Sequence, residues 1–436
     1  MSPLILILIL VILLFLFLGS GLEIAFALGI TGAIGLLLWT KDLNSLVAMG
    51  EIAWHVTTSY TLLAVPLFIF MGSILVESKA SAGLYEAAAK LFSRLPGGLA
   101  MASEAACAIF AAVTGSSTAC AAAIGMIAIP EMEKRGYNQK LIAGSICAGG
   151  TLGILIPPSI AFIIYGTIME TSIGQLYIAG VIPGIILASL FMLYIILLVK
   201  LRPSMAPFNE AKVSWNERVT ALKRTIPILA ILVLVLGGMF EGIFTPTEAA
   251  GIGASGSIVV AIVSRNMNFN ILRKSLLSSI LTTSMIFMII IGAQILSRIV
   301  ALLDIPQTFT TFLLQGGLSR WTIFLLVCIL YLIMGCLLDG VSMMVITIPV
   351  IGPMMVELGF DPVWFGVVMV VLIELGLITP PVGLNLYVIF GLIKQARFED
   401  LALSIIPFVF IMATLISFLA FFPSLALWLP GLMTKG

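Results

Sequence analysis

The sequence predicts an all-α polytopic membrane protein built from two related halves, each holding a re-entrant helical hairpin and a broken transmembrane helix. Composition sets the solvent: 61% of residues are hydrophobic and 9% are charged, whereas a soluble domain carries about 25% charge. Apolar segments near the spanning length of ~20 residues recur from end to end, with no soluble domain between them. A Gly-x-x-x-Pro-Pro signature then occurs twice, at Gly153, Pro157 and Pro158 and at Gly376, Pro380 and Pro381, 223 residues apart. The same offset relates Gly136-Tyr137-Asn138 to Gly359-Phe360-Asp361. Two prolines remove two N–H donors and clash with the preceding carbonyls, so each signature breaks a helix. Paired breaks in related halves point to a transporter's binding site.

The first apolar run, 3–19, has no basic leader and no clear small-residue cleavage site, so it is read as a retained span rather than a removed signal peptide. Spans follow at 22–39 and 61–77. The stretch 98–129 differs: its centre, Val113-Thr114-Gly115-Ser116-Ser117-Thr118, is small and polar, as expected for a hairpin tip near mid-membrane. The first broken helix, 141–166, and a span at 176–200 complete a first repeat over 1–202. A basic cytoplasmic linker occupies 203–225. The second repeat, 226–436, holds spans at 226–244, 248–264 and 276–303, a hairpin at 321–356 with Gly335 to Ser342 at its centre, a broken helix at 363–393 and a last span at 404–429.

Charge placement orients these elements, because cytoplasmic loops are enriched in Lys and Arg. Lys79, Lys90 and Arg94 precede the first hairpin and Lys134, Arg135 and Lys140 follow it, so it begins and ends in the cytoplasm. The 167–175 loop has no Lys or Arg. The 200–224 loop carries Lys200, Arg202, Lys212, Arg218, Lys223 and Arg224, and the next cytoplasmic loop Arg265, Arg273 and Lys274. The second hairpin then falls on the periplasmic side, followed by Glu357 and Asp361, and the next span exits at Lys394 and Arg397. The repeats are therefore inverted. Arg320 and Lys435 depart from the count. Two full crossings would also return the chain to its starting face, so it is the polar centres that favour hairpins.

The same residues restrict the chemistry. The five cysteines (107, 120, 147, 328 and 336) sit singly in apolar segments, as packing residues do. His55 is the one histidine, and no HExxH, Walker or Asp-rich diphosphate pattern is present, which argues against an enzyme and against ATP-driven pumping by this chain. A net charge of +1 implies no nucleic-acid partner. Uncharged oxygen atoms suit a sodium ion: carbonyls freed around Gly153 to Ile156, with the hydroxyls of Thr114, Ser116 and Ser117. In the second half Gly376, Thr379 and Val382 hold the equivalent break, facing Gly335 and the Asp339-Gly340 turn. A kinked, closely packed helix pair also uses proline and small residues; the repetition after a polar-centred hairpin favours a site. Glu374 and Asp339 are placed to modulate a cation site or to meet solvent in a substrate cavity. Arg298 either reaches the interface with Asp304 or faces a carboxylate substrate, and Asn385 either binds substrate or caps the second half-helix. Glu23 and Glu248 read as helix-start residues. Trp39, Trp54, Trp321 and Trp428 fit interfacial belts.

Three runs carry a family resemblance: Gly-Ser-Ser-x-Ala-x-Ala-Ala-Ala-Ile-Gly at 115–125, Leu-Gly-Ile-Leu-Ile-Pro-Pro-Ser at 152–159 and Leu-Ile-Thr-Pro-Pro-Val-Gly-Leu-Asn at 377–385. The chain resembles, over essentially its whole length, the large (M-type) membrane subunit of tripartite ATP-independent periplasmic (TRAP) transporters. The resemblance implies an ion-transporter-superfamily fold and an elevator-type transport domain holding both hairpins, in a bacterial inner membrane. It implies sodium-driven uptake of an organic acid, such as a C4-dicarboxylate or sialic acid, delivered by a periplasmic substrate-binding protein, with no organic cofactor. It places one sodium among Thr114, Ser116, Gly153, Ile156 and Pro158 and another among Gly335, Gly376, Thr379 and Val382; Ser117 and Gly340 join these sets from the residue reading above. Thr114 stands where the family pattern has serine. Nothing in the sequence corresponds to the small four-helix (Q-type) subunit, so a separate one is expected. The rival readings are a stand-alone sodium–dicarboxylate symporter of the divalent-anion type, a channel-like conduit and an intramembrane enzyme, for which the sequence offers no catalytic constellation.

Overall fold

The computed structural model describes residues 3–78, 80–207, 213–336, 338–393 and 397–433, and every long regular element among them is an α-helix. Lys79, Lys212, Lys394 and Lys435 of the charge reading lie outside the described residues. The first half runs α1 (Pro3–Gly19), α2 (Ile24–Thr40), α3 (Val47–Thr58), α4 (Ala64–Glu77), α5 (Ala80–Leu91), α6 (Gly98–Thr114), α7 (Ser117–Lys134), α8 (Gln139–Gly150), α9 (Leu152–Leu155), α10 (Ile160–Ile168) and α11 (Ile173–Leu201). The second runs α12 (Trp215–Phe240), α13 (Pro246–Val263), α14 (Phe269–Leu302), α15 (Ile305–Gln315), α16 (Arg320–Gly335), α17 (Gly340–Glu357), α18 (Pro362–Ile378), α19 (Leu384–Leu392), α20 (Phe398–Phe421) and the short α21 (Ser424–Leu427). Among the described residues six helices are long and apolar enough to cross a membrane, and up to nine crossings result if each sharply bent pair is one span.

The 223-residue offset orders more than the proline motif. Shifting α7 by it gives the bounds of α17, and shifting 139–155 gives the bounds of α18. Each hairpin turns where its sequence is small and polar. Gly115 takes φ +60°, a conformation glycine adopts without a Cβ penalty, and Ser116 is extended at the head of α7. Each break has extended backbone and a cis diproline bond, Pro157-Pro158 and Pro380-Pro381. At the first, the helix directions differ by 41°.

Three helices lie outside the expected spans: α3, α5 and α15. They are short, and polar residues interrupt them, such as Glu51 and His55 in α3 and Glu86 and Lys90 in α5, so spanning-length apolarity does not reveal them. The spans expected from 226 and 276 begin earlier, at Trp215 and Phe269, because polar first turns carry these helices beyond the apolar stretch. The first of these turns is fixed by a capping box, the Ser214 side chain accepting from Glu217 N–H while Glu217 accepts from Ser214 N–H. Glu248 does the same with Thr245 at α13, which makes it the helix-start residue the sequence indicates.

The core lies along the two broken helices. Every residue from Leu141 to Gly150 on α8 and from Val363 to Ile378 on α18 is buried, as befits helices apolar all round. In lipid such packing is stabilised by close contact and hydrogen bonds rather than by leaving water. Trp364 Nε1 donates to Leu419 O at 2.7 Å, holding α18 to α20, and Tyr165 Oη donates to Pro362 O at 2.7 Å, holding α10 to α18. Arg320, an exception to the charge count, lies 5.3 Å from the Trp321 ring centroid and 5.8 Å from that of Phe360, where the ring faces hold its charge. Around this core α14 packs on α2 and α4, and α13 on α4 and α12.

Candidate functional site

Each hairpin tip meets its own half's break backbone to backbone, and glycines make the approach possible. A Cβ on Gly153 would stand 2.6 Å from Ser117 Cα and 2.7 Å from Ser117 N. At Gly115 a Cβ would stand 3.3 Å from Pro158 O. In the second half a Cβ on Gly376 would stand 2.7 Å from Gly335 Cα. The units also interleave, since a Cβ on Gly340 at the second tip would lie 3.8 Å from Ile154 Cδ1 of the first break.

Proline chemistry decides which carbonyls remain free. The helical partners of the Gly153 and Ile154 carbonyls would be the N–H groups of residues 157 and 158, and both are prolines. The same holds for Gly376 and Leu377 against Pro380 and Pro381, with the Gly376 carbonyl instead accepting from Thr379 N–H at 3.1 Å. Hydroxyls occupy the same tips and breaks. Thr114 Oγ1 donates to Phe110 O at 3.2 Å, Ser116 Oγ and Thr118 Oγ1 are 3.4 Å apart, and Thr379 Oγ1 donates to Leu375 O at 2.6 Å. Each hydroxyl that donates to a carbonyl keeps lone pairs for a cation. Among the described residues no three His, Cys, Asp or Glu side chains group as metal ligands. The donor set of carbonyls and hydroxyls therefore suits a hard cation.

The other expected residues divide. Ile156 and Val382 lie half-buried in their breaks, and Pro157 and Pro158 are buried while Pro381 is exposed. Asp339 is exposed and caps α17, accepting from Val341 N–H at 3.1 Å, from Ser342 N–H at 3.2 Å and from the Ser342 hydroxyl. Asn385 is fully buried, and neither amide atom has a hydrogen bond among the described residues. Gly383, not Asn385, occupies the cap position of α19, so of its two sequence roles capping drops out. Arg298 is exposed near the end of α14, and no hydrogen bond or ion pair among the described residues ties it to a tip or a break.

Two carboxyl groups have more weight in the structure than in the sequence. Glu374 is fully buried; its Oε1 accepts from the Ser117 hydroxyl and, at 3.3 Å, from Ile154 N–H. Glu104, in α6, is fully buried with neither oxygen hydrogen-bonded among the described residues, and Oε2 is 3.1 Å from where a Gly149 Cβ would stand. Its sequence signal was a lone acid in a run of small apolar residues. Away from the core, an open cavity of about 1030 Å³ is lined by His55, Glu170, Gln175 and Gln294, beside the Lys- and Arg-free 167–175 loop. A second, of about 660 Å³, lies between α7 and α19 beside Glu133, Tyr137 and Gln139.

Comparison with known proteins gives a consistent picture. The family model described as "Tripartite ATP-independent periplasmic transporter, DctM component" matches residues 4–425. The C4-dicarboxylate TRAP transporter large permease protein DctM of Pseudomonas aeruginosa is 38% identical over 93% of this chain and 94% of its own length. The isethionate TRAP transporter permease protein DctMQ of Oleidesulfovibrio alaskensis is 32% identical over 93% of this chain, which covers 64% of that protein. Among solved structures, the Alcanivorax borkumensis YdaH transporter, reported with an unusual topology, superposes with a TM-score of 0.64 at 15% identity, covering 89% of each chain. That last likeness speaks for the fold alone.

Proposed function

The chain belongs to the DctM-component family of tripartite ATP-independent periplasmic transporters, and on that premise we propose that it is the permease that takes up an organic acid by sodium-coupled symport. The observation that carries the reading is the paired apposition of hairpin tip and diproline break, with prolines standing where the helical N–H partners of the Gly153, Ile154, Gly376 and Leu377 carbonyls would be. One sodium is assigned to Thr114, Ser116, Ser117, Gly153, Ile156 and Pro158, and another to Gly335, Gly340, Gly376, Thr379 and Val382.

Four helices, α7, α10, α17 and α19, begin at the tips and breaks. Their first N–H groups and the positive ends of their dipoles favour a carboxylate between them. The buried, unpartnered amide of Asn385 is the first candidate to contact it. The named relatives serve small anions, a C4-dicarboxylate and isethionate, and the substrate proposed here is an anion of that size carrying a carboxylate. Sodium orders the tips against the breaks, the anion binds between them, and the loaded hairpins and broken helices cross as one elevator body. Each net positive charge carried inward gains about 2.3 kcal/mol from a 100 mV potential.

The partners proposed are a periplasmic binding protein and a small membrane subunit in the inner membrane. We propose the small subunit as a separate chain; the Oleidesulfovibrio relative is named as a DctMQ permease, so a fused arrangement also occurs among relatives. Uptake of labelled organic acids into proteoliposomes holding this chain and its small subunit tests the reading. Accumulation should require both an inward sodium gradient and the binding protein. Sodium-driven uptake without the binding protein would assign the chain to stand-alone symport instead.

A further inference from the structure

Glu374 breaks the pseudo-symmetry of the two halves. The 223-residue offset places it opposite Thr151, whose hydroxyl donates to Ala148 O at 2.6 Å within its own helix. It places Ser117 opposite Gly340, which has no side chain to offer. The crossing contact between Ser117 and Glu374 therefore has no counterpart at the other tip. A carboxyl group from the second half has been set into the first half's site.

Its surroundings give that carboxyl a task. Glu374 is fully buried, with Oε1 held by the Ser117 hydroxyl and by Ile154 N–H, both on residues at the first tip and break. Oε2 is buried with no hydrogen bond among the described residues. The ion pairs among those residues involve Lys90, Arg135, Lys140 and Arg224, and none reaches it. An ionised carboxylate buried without a partner is strongly disfavoured, and a bound cation is the natural partner for one. The Ile154 N–H that Oε1 accepts belongs to the same break in which Pro157 and Pro158 leave the Gly153 and Ile154 carbonyls without helical donors.

We propose that Glu374 is the charged ligand of the first sodium site, its Oε2 completing the shell that the first half supplies only with neutral oxygens. The inference rests on the sodium reading above and adds to it. A sodium ion at the first break then joins α7 and α9 of one half to α18 of the other. Occupying the first site fixes the helix that carries Gly376 and Thr379, so the two sites fill cooperatively.

The test is the sodium dependence of thermal stability in the purified complex with its small subunit, titrated against choline at constant ionic strength. The parent should show sodium-specific stabilisation. Glu374→Gln, which keeps the shape of a neutral carboxylic acid, should raise the half-saturating sodium concentration by about tenfold or more, as loss of a charged partner does. Glu374→Asp should keep a sodium-specific response. A Gln variant that titrates like the parent overturns the assignment and leaves the sodium reading intact, whereas a parent indifferent to sodium overturns both. A second measurement avoids altering Glu374. In Thr379→Ala, whose second site is weakened, sodium should slow amide hydrogen exchange in 152–156 and in 372–376 at the same concentration; protection of the first segment alone overturns the proposal.

Discussion

The two tip-and-break units share one backbone plan and differ in what surrounds it. In the first, both prolines are buried, the tip glycine is buried, and a carboxyl group arrives from the other half. In the second, Thr379 and Pro380 are half-buried, Pro381 is exposed, and the acid at the tip, Asp339, turns back to cap its own helix. Duplication thus preserved the features that backbone geometry demands, the glycine approach and the diproline break. The side chains that set charge and exposure diverged. The first unit is the more enclosed of the two and the second the more open to solvent.

The comparison breaks most completely if the close approaches are blocked. Gly153→Ala puts a methyl group against the Ser117 backbone, with 2.6 Å to Cα, where no flexible side chain can yield. Uptake should fall to background, and overpacking should lower stability by about 1–3 kcal/mol; retained uptake at parental stability would show that the contact is dispensable. Gly376→Ala makes the equivalent clash with Gly335, and similar losses from both would confirm that the halves depend alike on this feature.

Chemistry at the second unit gives a smaller effect. Thr379→Ala removes the hydroxyl proposed as a sodium ligand and one 2.6 Å hydrogen bond, so half-saturating sodium for uptake should rise about tenfold or less while expression holds. Equal sodium dependence in variant and parent would remove Thr379 from the site. Asp339→Ala should cost ~1 kcal/mol as a lost cap, visible as reduced thermal stability with substrate KM unchanged; a large rise in KM would return Asp339 to the substrate site. Arg298→Gln, on an exposed face, should leave uptake within about twofold of the parent, as surface substitutions do.

Much of this plan was legible because its cause is local. Proline lacks an N–H wherever it occurs, and Gly-x-x-x-Pro-Pro therefore marks a break without knowledge of the neighbours. The small polar centres at 113–118 and 335–342 mark the tips for the same reason. The Glu374–Ser117 contact was not legible, because it joins residues 257 positions apart, and a lone acid before a break does not name its partner. Glu104 is illegible for a related reason: α8 packs across it from outside its own segment. The amphipathic α5 and α15 escaped because hydropathy over a spanning window dilutes a short helix with one polar face.

Sodium binding at both units, with its free energy shared with the substrate, is tested by the coupling stoichiometry, read from the membrane potential at which net substrate flux through the reconstituted complex reverses under imposed sodium and substrate gradients. At least two sodium ions per substrate are expected in the parent, and Thr379→Ala, which alters affinity, should reverse at the parent's potential. A reversal potential that ignores the sodium gradient would contradict this coupling.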